Sequence, residues 1–113
     1  MTLSQFFDTP DIPAGSEVIE TLLQSKGIRI ERIISRQAAS PPGFWYDQPW
    51  DEWVMLMRGQ AVLALENGDP FHLRPGDHLT IPKHQKHRVE STSEDALWLA
   101  VHLTPTEDQP SQV

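Results

Sequence analysis

The chain has 113 residues, no cysteine, and a formal net charge of −7 at pH 7. That length suffices for one small domain with its own core. The missing cysteines exclude disulfides and any thiolate ligand or nucleophile, and the acidic balance argues against nucleic acid or an anionic membrane as partner.

Residues 1–15 read as an arm, because Pro10, Pro13 and Gly15 interrupt any regular element and Phe6 and Phe7 can dock it on the body or on a second subunit. They lack the basic start and long apolar stretch of a signal peptide, and no run of about 18 apolar residues follows, so a cytoplasmic protein is the default expectation. Ser16 is a candidate helix cap, with Glu17 and Glu20 near the positive end. Val18, Ile19, Leu22 and Leu23 recur at helical spacing, and Gly27 stops the element. A short helix is therefore expected before Ile28.

From Ile28 the period becomes two: Ile28 and Ile30 share a face and Glu31 lies on the other. Pro41-Pro42-Gly43 is a hard break. Trp53–Met57 reads as a strand, Arg58-Gly59 as a turn or bulge, and Gln60–Leu65 as the next strand. Asn67-Gly68 signals a hairpin, since a tight turn needs positive φ. Short strands follow over Phe71–Arg74, Leu79–Pro82, His87–Thr92 and Ala96–Leu103, with Pro75-Gly76-Asp77 and Ser93-Glu94-Asp95 as turns. About eight short strands with ten prolines and six glycines indicate an antiparallel sandwich or barrel. One domain is expected: residues 1–27 as arm and helix, 28–103 as barrel, and 104–113 as a flexible, polar tail.

Two segments carry the chemistry, Trp45 to Gly59 and Pro75 to His87. The first holds a carboxylate, Glu52, at the mouth of an apolar strand. The second ends in two histidines, His84 and His87. If the segments meet in space, Glu52 and His87 could share a metal or a substrate.

These segments resemble the two motifs of the cupin superfamily, small double-stranded β-helix barrels. Its first motif runs glycine, five residues, His-x-His, three or four residues, Glu, six residues, glycine. Glu52 and Gly59 match, while Tyr46 and Gln48 stand at the two histidines and Ser40 at the opening glycine. In the second motif Gly76, Pro82 and His87 match, His84 replaces the inner glycine and Ser91 the asparagine. The resemblance implies a small single-domain cupin with an all-β, jelly-roll-like antiparallel barrel and a degenerate first motif. It also implies a divalent iron, manganese, zinc or nickel ion, with Glu52 and His87 as ligands and Gln48 and His84 as supplements. An amide is a poor ligand beside imidazole. The alternative is that Glu52 and His87 hydrogen-bond each other in a metal-free pocket.

Tyr46 shares strand parity with Gln48, so both are candidates to face the cavity. Asp47 and Asp51 read as solvated loop carboxylates, His72 and His78 as solvent-facing or structural, and His102 as a further cavity candidate. Trp53, Met55 and Met57 form an apolar stripe that needs cover, from the N-terminal helix or from a second copy in a homodimer. Two functions stay open. One is a metal-binding cupin acting on a small polar metabolite. The other is a metal-free ligand-binding or sensor module, holding its ligand through Tyr46, Gln48, His87 and His102.

Overall fold

A computed structural model describes residues 1–105. Its eight strands are β1 Ser16–Ser25, β2 Ile28–Arg36, β3 Asp51–Arg58, β4 Ala61–Leu65, β5 Phe71–Leu73, β6 His78–Ile81, β7 His87–Thr92 and β8 Ala96–Leu103. They form a five-stranded sheet in the order β1-β2-β8-β3-β6 and a three-stranded sheet in the order β5-β4-β7. Every pairing is antiparallel. This is the all-β architecture expected from the turn spacing.

The two sheets face each other across one apolar core. Val54 and Leu56 of β3, Ile81 of β6, and Ala96, Trp98 and Ala100 of β8 meet Ala61 and Leu63 of β4 and Leu73 of β5. Alternation decides which side chains enter, since neighbours in a strand point to opposite faces. Register then arranges them in rows across the large sheet. One row is Ile33, Trp98 and Leu56; the next is Glu31, Ala100, Val54 and Leu79; the third is Arg29, His102, Glu52 and Ile81. The interior thus passes from apolar at one end to charged at the other. The charged end is where the site lies.

The expected N-terminal helix is absent, and Ser16–Ser25 is a strand instead. It pairs with β2 from Ser16↔Arg36 to Ser25↔Ile28, with a bulge between Thr21 and Leu23. A bulge adds one residue and breaks the two-residue alternation. Val18 and Ile19 lie before the bulge and are apolar on both faces of the strand, and together with Leu22-Leu23 at the bulge they imitate a helical face. Val18 packs outward with Ile12, Ile34 and Leu97, while Ile19 turns to the cavity. The large sheet accordingly starts at Ser16, not at Ile28.

The arm crosses the outer face of this sheet and is held by arginines. Arg32, 8% exposed, donates to the carbonyl oxygens of Phe6 and Asp8, each at 2.8 Å, and to Glu20 at 2.7 Å. Arg36 donates to Ile12 O at 2.9 Å, and Arg58 reaches Phe7 O and Thr9 Oγ1. The arm covers Met57, packed with Ile12, Ile34 and Phe6. Trp53 and Met55 stay half-exposed on the same face. Thr104 and Pro105 follow β8 outside any strand. The remainder of the expected tail lies outside the described residues. Among the described residues no helix is long and apolar enough to cross a membrane.

Candidate functional site

A cavity of about 200 Å³ opens at the charged end, between the two sheets. Its apolar walls include Ile33, Val54, Leu63, Ile81, Val89 and Trp98, and its polar walls are Glu17, Arg29, Glu31, Tyr46, Gln48, Glu52, His87 and His102. Glu52 and His102 are register partners on β3 and β8. His87 opens β7 on the opposite sheet and pairs with Tyr46 through an isolated bridge, Tyr46 N–H to His87 O at 2.7 Å and His87 N–H to Tyr46 O at 3.1 Å. The Tyr46 and His87 rings stack, with centroids 5.5 Å apart.

Glu52 sits at the centre and is 8% exposed. Its Oε1 accepts the Gln48 amide at 2.9 Å and stands 3.9 Å from His87 Nε2. Its Oε2 stands 3.9 Å from His102 Nε2. Both 3.9 Å gaps exceed hydrogen-bond length, so the carboxylate faces two imidazoles without bonding either.

Hydrogen bonds at the far sides of the rings set their tautomers. His87 Nδ1 lies 2.8 Å from Gln85 O. A carbonyl only accepts, so Nδ1 carries a proton, and in the neutral ring Nε2 presents a lone pair to the cavity. His102 is the opposite case. Its Nδ1 accepts the Trp50 indole N–H at 2.9 Å, so the neutral ring carries its proton on Nε2, which donates to Glu31 Oε1 at 2.8 Å. Arg29 Nε donates to the other oxygen of Glu31 at 3.0 Å, and its guanidinium lies over the Trp50 ring at 5.6 Å. Trp50, His102, Glu31 and Arg29 thus form a closed loop of contacts that fixes one wall.

Two further groups feel the carboxylates. Glu17 stands at the mouth, where the residue as a whole is exposed, yet its carboxyl pKa is raised, first by desolvation against the cavity wall and then by the charge of Glu31. The Tyr46 phenol is raised above 10.0 by burial, then by Glu17 and Glu52. It is a neutral hydroxyl throughout the ordinary pH range.

The structure brings Tyr46, Gln48, Glu52, His87 and His102 to one cavity. It places His84 elsewhere, exposed and bonded through Nδ1 to Asp47 Oδ1 at 2.9 Å. His84 has φ of +65°, the left-handed conformation that glycine adopts without strain, which explains why the motif has glycine at this position. Asp51 accepts the Lys83 N–H at 2.8 Å, and His72 and His78 are exposed. Glu17, Arg29, Glu31 and Trp50 are site residues that the sequence reading did not single out. For Arg29 and Glu31 the one signal was parity, since they alternate with the outward Ile28, Ile30 and Arg32; Trp50 lies outside any strand and carried none.

This donor set does not fit the divalent metal that the motif resemblance implies. Among the described residues no group of three or more His, Cys, Asp or Glu side chains is placed to hold a metal ion. The hydrogen bonds give the reason. His102 presents N–H rather than a lone pair, Gln48 turns its N–H to Glu52, and His84 points away. That leaves Glu52 and His87, short of the three protein ligands of an open catalytic site. What the set can do is hold a small molecule between the sheets. His87 Nε2 can then accept a hydrogen bond or proton, beside a carboxylate able to stabilise the imidazolium.

A family model described as Cupin domain matches residues 36–102. A solved protein of Ralstonia eutropha JMP134, described provisionally as a mannose-6-phosphate isomerase, is 47% identical with a TM-score of 0.82, the match covering 92% of this chain and 99% of that one. A cupin superfamily protein of Desulfitobacterium hafniense DCB-2 is 18% identical, with a TM-score of 0.71 and 84% of each chain covered. KdgF from Halomonas sp. is 20% identical, with a TM-score of 0.70, covering 89% of this chain and 91% of that one. The last two likenesses are of fold alone. No curated protein matches the chain.

Proposed function

The chain belongs to the cupin family, and on that premise we propose that it binds a small polar metabolite in the cavity between its sheets without a resident metal. The observation that carries this reading is the pair Glu52 and His87. They come from opposite sheets and face each other at 3.9 Å, with the imidazole lone pair directed to the cavity by the Gln85 carbonyl. A ligand hydroxyl or amine can bridge that gap. His87 then accepts its hydrogen and Glu52 holds the charge that develops. Gln48 orients Glu52, and Tyr46 stacks on His87 and closes the mouth.

The relative described as a mannose-6-phosphate isomerase raises a sugar phosphate as ligand. The charges of this cavity speak against it. Three carboxylates, Glu17, Glu31 and Glu52, face one guanidinium, Arg29, which already pairs with Glu31. A phosphate dianion would meet net repulsion in a low-dielectric site. The ligand proposed here carries no phosphate. The test is a ligand screen in the presence of chelator, followed by amide and imidazole NMR shifts. Binding that perturbs His87 and Tyr46, and that is lost in His87→Ala, supports the reading. Binding that occurs only after a divalent metal is restored contradicts it.

A homodimer is proposed through the outer face. Leu23, Ile30, Val101 and Trp53 lie in one row across four strands there, and Leu23 is 54% exposed. An apolar row of this kind is the usual centre of a dimer interface. Sedimentation is expected to give twice the chain mass; a monomer at micromolar concentration contradicts the dimer.

A further inference from the structure

Three groups of the cavity, Glu52, Glu17 and His87, present free acceptors. Glu52 receives only the Gln48 amide, Glu17 has no bonded partner among the described residues, and His87 Nε2 offers a lone pair in a ring only 5% exposed. On the opposite wall His102 Nε2–H and Arg29 Nε–H both go to Glu31, which leaves the terminal N–H groups of Arg29 and the Tyr46 hydroxyl as donors without a partner among the described residues. A ligand that satisfies Glu52, Glu17 and His87 must bring donors, and one that answers the excess of three carboxylates over one guanidinium must be positive. The floor asks for something else, since Ile33, Leu63, Val89 and Trp98 are apolar.

Resting on the reading of the cavity as a metabolite pocket, we propose that its ligand is a small organic ammonium compound. Its N–H groups would lie among Glu52, Glu17 and His87, and its short apolar portion on the Trp98 floor. The volume sets the size. About 200 Å³, at about 30 Å³ for each water-sized group, holds roughly seven non-hydrogen atoms. Glu17, Tyr46 and Glu52 line the same cavity, and the Tyr46 phenol, raised first by burial, is raised further by both carboxylates. The two carboxylates therefore act on the same region of the mouth, where one ammonium can reach both. The charge balance gives discrimination as well as attraction, because a carboxylate or phosphate ligand is repelled by the groups that hold an amine.

The test uses the untagged full chain in chelator at low salt, with n-butylammonium, n-butanol and butyrate as probes of equal chain length and different charge. Binding is followed by calorimetry, and its place by NMR shifts of His87 and Tyr46. Butylammonium is expected to bind at least about tenfold tighter than butanol, with butyrate weakest, as for a desolvated charge pair. Glu52→Gln should remove most of that preference, weakening butylammonium by a much larger factor than butanol. Should Glu52→Gln fail to fold, Glu17→Gln, at the mouth, is expected to reduce the preference by a smaller factor. Butanol or butyrate binding as tightly as the amine, with the pocket signals shifting, overturns the ammonium proposal and leaves the pocket reading standing. If no probe shifts His87 or Tyr46, both fall.

Discussion

Gly59→Ala is predicted to be among the most damaging single-methyl changes in the chain, and Gly76→Ala a mild one, although both glycines match family motifs. Each has positive φ, +83° at Gly59 and +94° at Gly76. For an L-residue that conformation costs about 1–2 kcal/mol. The surroundings differ. A Cβ on Gly76 would meet nothing within 4 Å, whereas one on Gly59 would lie 2.5 Å from Ser93 Oγ, 2.8 Å from Ala96 Cα and 2.9 Å from Asp95 Oδ1. Ser93 Oγ also accepts the Gln60 N–H at 2.8 Å and donates to Asp95 at 2.9 Å, so it cannot retreat without losing both bonds. Overpacking of this kind adds about 1–3 kcal/mol, giving roughly 2–5 kcal/mol in all for Gly59→Ala, against about 1–2 kcal/mol for Gly76→Ala. Urea unfolding measures both, as a fall in midpoint at constant slope. Ser93→Gly should not rescue Gly59→Ala, because the Ala96 backbone still blocks the methyl. Equal losses for the two glycines, or full rescue by Ser93→Gly, would refute the steric argument.

Tyr46 is the only tyrosine, so phenolate absorbance reports it alone; its midpoint is expected above 10.0, moving back towards 10.0 in Glu52→Gln, and an unchanged midpoint would separate the two groups. Glu17 binds its proton more tightly folded than unfolded. Its favourable contribution is thus complete below the unfolded value near 4.5 and is lost as pH rises through the higher folded value. Glu17→Gln should then raise Tm at pH 7 and gain nothing at pH 4, as calorimetry can check. His84→Gly is expected to leave stability unchanged or raise it by up to about 1 kcal/mol, since it relieves a left-handed side chain at the expense of an exposed contact; a loss of ligand binding would place His84 in the site after all. Imidazole 15N shifts should show His102 as the Nε2–H tautomer and His87 as Nδ1–H, and Trp50→Phe should free the former.

Much of the barrel was legible because its punctuation is strong. β7 and β8 run from His87 to Thr92 and from Ala96 to Leu103, the bounds the alternation gives. The first strand was not legible, because Val18 and Ile19 are apolar on its two faces and the bulge at Thr21–Leu23 interrupts the alternation, which together copy a helical period. Part of the site was legible through motif spacing, which points to Glu52 and His87. The charged wall formed by Arg29, Glu31 and Trp50 was not, since it depends on the β2-β8-β3 register, which joins residues from distant parts of the chain. The same register explains why a donor set that looks metal-like in sequence closes on itself by hydrogen bonds. His102 spends its cavity-facing proton on Glu31 only because Trp50, on a preceding loop, occupies the other nitrogen.

The most direct measurement is the metal content of the untagged protein, followed by titration with iron, manganese, zinc and nickel ions in wild type, Glu52→Gln and His87→Ala. The account predicts substoichiometric metal as purified and weak binding that does not depend on both residues together. One tightly held metal per chain, lost in Glu52→Gln and again in His87→Ala, would contradict it.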